Sequence, residues 1–217
     1  MERLNIPVFS GQGTASINSR CVQDQAIISS ASPPGSLLLS SYFEAFHSEL
    51  SSLSETELKR TGVNLLDFDR PSALLVPPGK YLRNPVVSGT RLLLIQTLIY
   101  LEWATRAVGA AQGAFSVPLE RNRQSSTGII GFSSGIISAC VVGTSATLLD
   151  FLSNAVSAFR VALWIGVRTQ FYREHTLLAS GIHISDNRLW SVILLGMGHH
   201  ATEEAISQFC LQVRTLP

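Results

Sequence analysis

Gly131-Phe132-Ser133-Ser134-Gly135 is the strongest chemical signal in this sequence. A serine hydroxyl acts as a nucleophile when it is held exposed and a neighbouring base takes its proton. On a tight strand-to-helix bend, glycines two residues before and after the serine remove the side chains that would collide. A helix starting behind the bend turns its backbone N–H groups and the positive end of its dipole toward developing negative charge. Only Ser133 lies midway between Gly131 and Gly135, so it is a better candidate nucleophile than Ser134. A Ser- and Gly-rich run can also form such a turn with no chemistry attached. A second glycine-rich turn, Ser10-Gly11-Gln12-Gly13-Thr14, follows the short apolar run Pro7-Val8-Phe9. Its glycines let backbone approach a ligand or another loop.

The elements that must position these turns follow from apolar periodicity. Pro7–Phe9 reads as a buried strand, and 15–35 as a polar surface loop holding at most a broken helix. Leu39, Tyr42, Phe43, Phe46 and Leu50 form one apolar face of a helix over 36–50. Ser54, with Glu57 three residues on, predicts a capped short helix. Residues 64–81 carry Pro71, Pro77, Pro78 and Gly79 and read as irregular chain. A buried helix is expected over 89–110, a loop over 117–124, a strand over 128–132 and a helix over 134–152. A further helix is expected over 154–175, a strand over 189–196 and a last helix from Thr202. Strands separated by helices imply an α/β fold with a mainly parallel sheet, whose functional turns lie at the carboxyl ends of strands. Both glycine-rich turns fall there.

Composition excludes several classes. In 217 residues, 46% are hydrophobic and 14% charged, which is too apolar for a disordered chain and enough for one core. The net charge is +1 and no basic stripe is present, so nucleic-acid binding has no electrostatic basis. Cys21, Cys140 and Cys210 are widely spaced, which fits reduced thiols in the cytoplasm better than a disulfide framework or a zinc site. The N-terminus has no secretory core. The uncharged stretch 124–149 is rich in Ser, Thr and Gly, so it reads as strand, turn and helix, not as a membrane span. His47 is expected on a solvated helix face, and His175 and His183 on the surface. The pair His199-His200 lacks further nearby ligands, so no metal site is expected.

Val8-Phe9-Ser10-Gly11-Gln12-Gly13 is similar to the opening of malonyl-type acyltransferases. Gln96, in Leu-Leu-Ile-Gln-Thr-Leu, sits where that family has a Thr-Gln ahead of a buried helix, and Gly131–Gly135 sits where it has its nucleophile elbow. Within that superfamily the chain most resembles the starter-unit acyltransferase domain of fungal non-reducing polyketide synthases. The elbow is followed by Gly135-Ile-Ile-Ser-Ala-Cys-Val-Val and not by the Gly-Glu of extender-unit enzymes. Ala158-Phe-Arg-Val-Ala-Leu-Trp-Ile-Gly166 and Trp190–Gly196 also resemble starter-domain segments.

The resemblance implies acyl transfer from acyl-CoA or a phosphopantetheine thioester, by way of an acyl-Ser133, to an acyl carrier that serves a ketosynthase. It implies an oxyanion hole from the N–H groups of Gln12 and Ser134, aimed by Gly11 and Gly13, with Gln96 and Arg160 as supporting residues. It calls for no bound cofactor, no metal, no nucleic acid and no membrane. Many starter domains carry Cys where this chain has Ser133. The family's catalytic His lies beyond a small ferredoxin-like subdomain. On this resemblance, 1–217 is a single partial domain, with 1–188 the large subdomain and 189–217 the start of a truncated small one, so the chain stops short of its base. A catalytically impaired remnant or binding module, and a serine hydrolase or thioesterase sharing the elbow, are the alternatives.

Overall fold

A computed structural model describes residues 7–11, 20–108, 129–180 and 204. The elements are β1 (Val8–Phe9), α1 (Arg20–Ser30), α2 (Pro33–Ser51), α3 (Glu55–Thr61), α4 (Ser72–Leu75), α5 (Pro85–Val108), β2 (Ile130–Gly131), α6 (Gly135–Thr144) and α7 (Leu148–Ser180). Single 3-10 turns lie at Leu65–Asp67 and Gly79–Tyr81. The chain divides into two compact units, Met1–Tyr172 and Arg173–Pro217. Of the second, only the last turns of α7 and the helical Glu204 are described. The expected strand at 189–196, the helix from Thr202 and the boundary at 188 lie outside the described residues.

The described fold is mostly helical, with a parallel two-stranded sheet in which Val8 pairs with Ile130 and Phe9 with Gly131. This is compatible with an α/β domain, but it is far more helical than a mainly parallel sheet would suggest. α5 is the central helix, with α1, α2, α4 and α6 packed against it. Leu94, Ile95, Leu98 and Leu101 are almost fully buried, as expected for a helix apolar on most faces. Tyr42 of α2 stacks on Phe159 of α7 with ring centroids 4.4 Å apart, and Phe46, Phe68 and Tyr81 continue the aromatic core.

Three local differences from expectation have local causes. Where a surface loop is expected, α1 forms because Ala26 and Ser29 bury against the body of the domain. α2 starts earlier, at Pro33, because the Ser32 hydroxyl accepts from the Gly35 N–H and proline suits the first helical turn. The helix expected over 134–152 breaks at Ser145, whose backbone is extended. Thr147 and Asp150 then bond each other's backbone N–H at 3.1 and 3.0 Å and restart the chain as α7.

By length and composition, Leu148–His175 is apolar enough to cross a bilayer. However, Phe151, Ala155, Phe159, Leu163 and Val167 of this segment are buried in the domain core. Its Arg160 and Trp164 are both bonded to Glu49 of α2, so one face of the helix is packed into this domain.

The expected cap at Ser54 is present in full. The Ser54 side chain accepts from the Glu57 N–H, and the Glu57 carboxylate accepts from the Ser54 N–H at 3.0 Å. Ser54→Ala is expected to lower stability by about 1 kcal/mol, the usual effect of losing a serine cap. Ser54→Thr should largely retain it, and urea unfolding of the two variants beside the parent checks both.

Candidate active site

Ser133 has φ 53°, and among the described residues it is the only non-glycine with positive φ. A side chain in this left-handed region collides with its own backbone, so the conformation persists only where the surroundings impose it. Here they do. The Phe132 N–H donates to the Phe9 carbonyl at 2.9 Å, which ends the sheet. The Gly135 N–H then returns to the Phe132 carbonyl at 2.9 Å, and the Ile136 N–H to the Ser133 carbonyl at 3.1 Å. The chain thus passes from strand to helix within three residues, and Ser133 is left exposed at the corner.

Both elbow glycines are sterically required. A Cβ on Gly131 would stand 2.6 Å from Ile136 Cα and 2.7 Å from the Gly135 carbonyl oxygen. A Cβ on Gly135 would stand 2.4 Å from the Phe9 carbonyl oxygen. Gly11 serves a different contact. Its Cβ would meet Ser133 Cβ at 2.6 Å and Ser133 Oγ at 3.1 Å, so the first glycine-rich turn lies directly against the candidate nucleophile. Parallel pairing of β1 with β2 puts both turns at the same end of the sheet. Gln12 and Gly13, expected to aim a backbone N–H at this point, lie outside the described residues. Ser134 begins the turn into α6 and lines a pocket of about 90 Å³ with Leu92, Leu93, Ile137, Ile165 and Gly166.

Gln96 joins the two turns. Its Nε2 donates to the Ser10 carbonyl at 2.7 Å, and its Oε1 accepts from Ser138 Oγ at 2.6 Å. Sequence spacing does not single out the partner Ser138, although a serine in the otherwise apolar start of α6 is a signal of a buried polar contact. Arg160, expected as a supporting residue, meets Glu49 of α2 in this structure. Its Nε lies 3.2 Å from Glu49 Oε1, and Trp164 Nε1 donates to the other oxygen of the same carboxylate at 2.9 Å. The pair ties α7 to α2, and among the described contacts none joins Arg160 to Ser133.

Among the described residues no side chain is hydrogen-bonded to Ser133 Oγ. His47 is not the solvated residue expected, because its Nε2 lies 2.7 Å from the Phe68 carbonyl oxygen and its ring packs on Phe43 and Phe46. That carbonyl can only accept, so Nε2 carries the proton. His175 is exposed, as expected, and His183, His199 and His200 lie outside the described residues. Burial pushes the Tyr100 hydroxyl up to about 12, and burial likewise raises Tyr42. Both phenols therefore stay neutral near pH 7. Cys21 and Cys140 are exposed free thiols, and among the described residues no three His, Cys, Asp or Glu side chains cluster as metal ligands.

Several known proteins are similar to this chain over most of its length. An orsellinic acid synthase, ArmB, of Armillaria ostoyae is 43% identical over 208 residues, covering 95% of this chain and 9% of the relative. The armB synthase of Armillaria mellea is 41% identical over 209 residues, again 95% of this chain and 9% of the relative. An orsellinic acid synthase of Beauveria bassiana is 31% identical over 169 residues, covering 77% of this chain and 7% of the relative. The chain therefore spans less than a tenth of the length of these relatives. No solved structure matches. The family described as starter unit:ACP transacylase in aflatoxin biosynthesis matches residues 27–216, and the chain belongs to that starter-unit transacylase family.

Proposed function

We propose that this chain loads a starter acyl group onto an acyl carrier through an acyl-Ser133 intermediate, as the starter-unit portion of a polyketide synthase. The observation that carries this is an exposed serine forced to φ 53° at a strand–helix corner, with the Gly11 turn packed against its side chain. Family membership supplies the reaction class.

In the first half-reaction, Ser133 Oγ attacks the thioester carbonyl carbon and its proton passes to a general base, the role that the family resemblance gives to a histidine of the complete domain. The C–S bond then breaks, and the leaving thiol takes up a proton. In the second, the phosphopantetheine thiol of the carrier attacks the acyl-serine carbonyl and the serine hydroxyl is restored. The carbonyl oxygen is negatively charged in each tetrahedral intermediate, and N–H groups of Gln12 and Ser134 are the proposed donors to it. Acyl transfer between oxygen and sulfur requires no metal or redox cofactor. The donor is acyl-CoA or an acyl-carrier thioester in the cytoplasm, and a ketosynthase is the next consumer of the loaded carrier.

The test is mass spectrometry of the protein incubated with short-chain acyl-CoA. An acyl adduct on Ser133 that disappears in Ser133→Ala is the expected result, and an adduct that survives the substitution removes the assignment. Adding an acyl carrier separates transferase from hydrolase, since the first gives acyl-carrier product and the second gives free acid.

A further inference from the structure

Ser138 stands out among the helical hydroxyls of this chain. Serine and threonine within a helix commonly donate to the carbonyl four residues back, as Thr90, Thr97, Thr144 and Thr169 do here. Ser138 is fully buried in α6, yet it donates across to Gln96 Oε1 on α5 at 2.6 Å. The far end of the same amide donates to the Ser10 carbonyl at 2.7 Å.

The polarity of this chain of bonds is dictated at its ends. The Ser10 carbonyl can only accept, so the Gln96 amide must present its nitrogen there and its oxygen to Ser138. Ser138 must then be a donor. A hydroxyl polarised by the amide oxygen strengthens the bond at the other end, because such chains are cooperative in a low-dielectric interior. Since the peptide unit is planar, anchoring the Ser10 oxygen also fixes the orientation of the Gly11 N–H. Gly11 is the residue packed on Ser133. Ser138 lies in the first turn of α6, the helix that follows Ser133, so the clamp closes a loop from the nucleophile helix, through α5, to the turn that faces the nucleophile.

We propose that Ser138 is a positioning residue: acting through Gln96, it holds the Ser10–Gly11 turn in register against Ser133. The catalytic consequence rests on the acyl-Ser133 mechanism, whereas the mechanical one does not. Without the Ser138 hydroxyl the half-buried Gln96 oxygen loses its protein donor, the amide is free to rotate, and its oxygen can face the Ser10 oxygen with no proton between them.

The experiment therefore uses two readouts on the full chain. Hydrogen exchange of the 7–11 segment reports the turn and requires no catalysis. The single-turnover rate of Ser133 acylation from acyl-CoA reports the chemistry. Ser138→Ala is expected to speed exchange in that segment and to slow acylation by roughly tenfold, the scale of one buried donor lost, without changing the half-saturating acyl-CoA concentration. Ser138→Thr, which keeps a hydroxyl, should recover most of the rate. Gln96→Met should reproduce both effects, and adding Ser138→Ala to it should cause no further loss, because the two residues act as one unit. Unchanged exchange and rate in Ser138→Ala, or effects that add in the double variant, overturn the clamp. If Ser138→Ala does not fold, Gln96→Met alone carries the same test. If exchange responds as described while the parent protein forms no Ser133 adduct, the clamp stands and the acyl-serine mechanism falls.

Discussion

Ser133→Gly is expected to be inert toward acyl-CoA and, at the same time, more stable than the parent. The two effects share one cause. Ser133 is held at φ 53°, where an L side chain costs on the order of 1–2 kcal/mol and glycine has no steric penalty. Glycine also loses more backbone entropy on folding, by roughly 0.5–1 kcal/mol, which offsets part of the gain. The balance is a stabilisation of up to about 1 kcal/mol, or roughly 2–4 °C in thermal midpoint for a domain of this size. The corner itself should survive, because the bonds from Phe132 to Phe9 and from Gly135 to Phe132 are backbone bonds that need no Ser133 side chain. Ser133→Ala is the control, since it removes the hydroxyl but keeps the Cβ and its strain. It should be equally inert and gain no stability. Calorimetry of the three proteins decides the matter. A midpoint for Ser133→Gly at or below that of Ser133→Ala would mean that no strain is stored at the corner, and the geometric case for a nucleophile would lose its main support.

That strain explains which parts of the structure were legible from sequence. The Gly131–Gly135 spacing reported a tight corner because only glycine fits at its two flanks, and the close approaches to Ile136 and Phe9 show why. The cap at Ser54 and the buried helix at α5 were likewise legible, since each depends on neighbours in sequence or on a strong apolar period. Other features depended on partners that sequence spacing does not show. Arg160 reads as a site residue by its segment, while its described partner, Glu49, lies far away in sequence. His47 looked solvated until the Phe68 carbonyl was placed beside it. α1 reads as loop in the sequence because its polar composition hides a narrow buried stripe at Ala26 and Ser29. The break at Ser145 had a legible signal, Thr147 with Asp150 three residues on, but the apolar run around it concealed the restart. The Ser10–Gln96–Ser138 clamp joins three elements, and no local pattern encodes such a contact.

Gly135→Ala should produce the largest combined loss. The added Cβ would sit 2.4 Å from the Phe9 carbonyl oxygen, 2.7 Å from the Phe9 carbonyl carbon and 2.7 Å from the Ser10 oxygen. All three are backbone atoms, so no side chain can rotate away to make room. α6 must instead back away from the end of β1. Overpacking of this kind costs about 1–3 kcal/mol, and the upper end is expected because the atoms it displaces also hold the sheet, where Phe9 accepts from Phe132. At roughly 2–4 °C per kcal/mol, the midpoint should fall by on the order of 10 °C. Acylation should suffer more than stability. The displaced Ser10 is the residue that Gln96 anchors, and Gly11 beside it is packed on Ser133. A misplacement of about 1 Å between a nucleophile and the groups around it can lower a rate by about 100-fold. The comparison that isolates this is Gly143→Ala on the same helix, where the new Cβ would have only Ile129 Cδ1 nearby, at 3.8 Å. Gly143→Ala should match or exceed the parent in stability and acylate at the parent rate. A Gly135→Ala protein with parental midpoint and parental acylation would show that β1 and α6 are not in the contact on which the site depends.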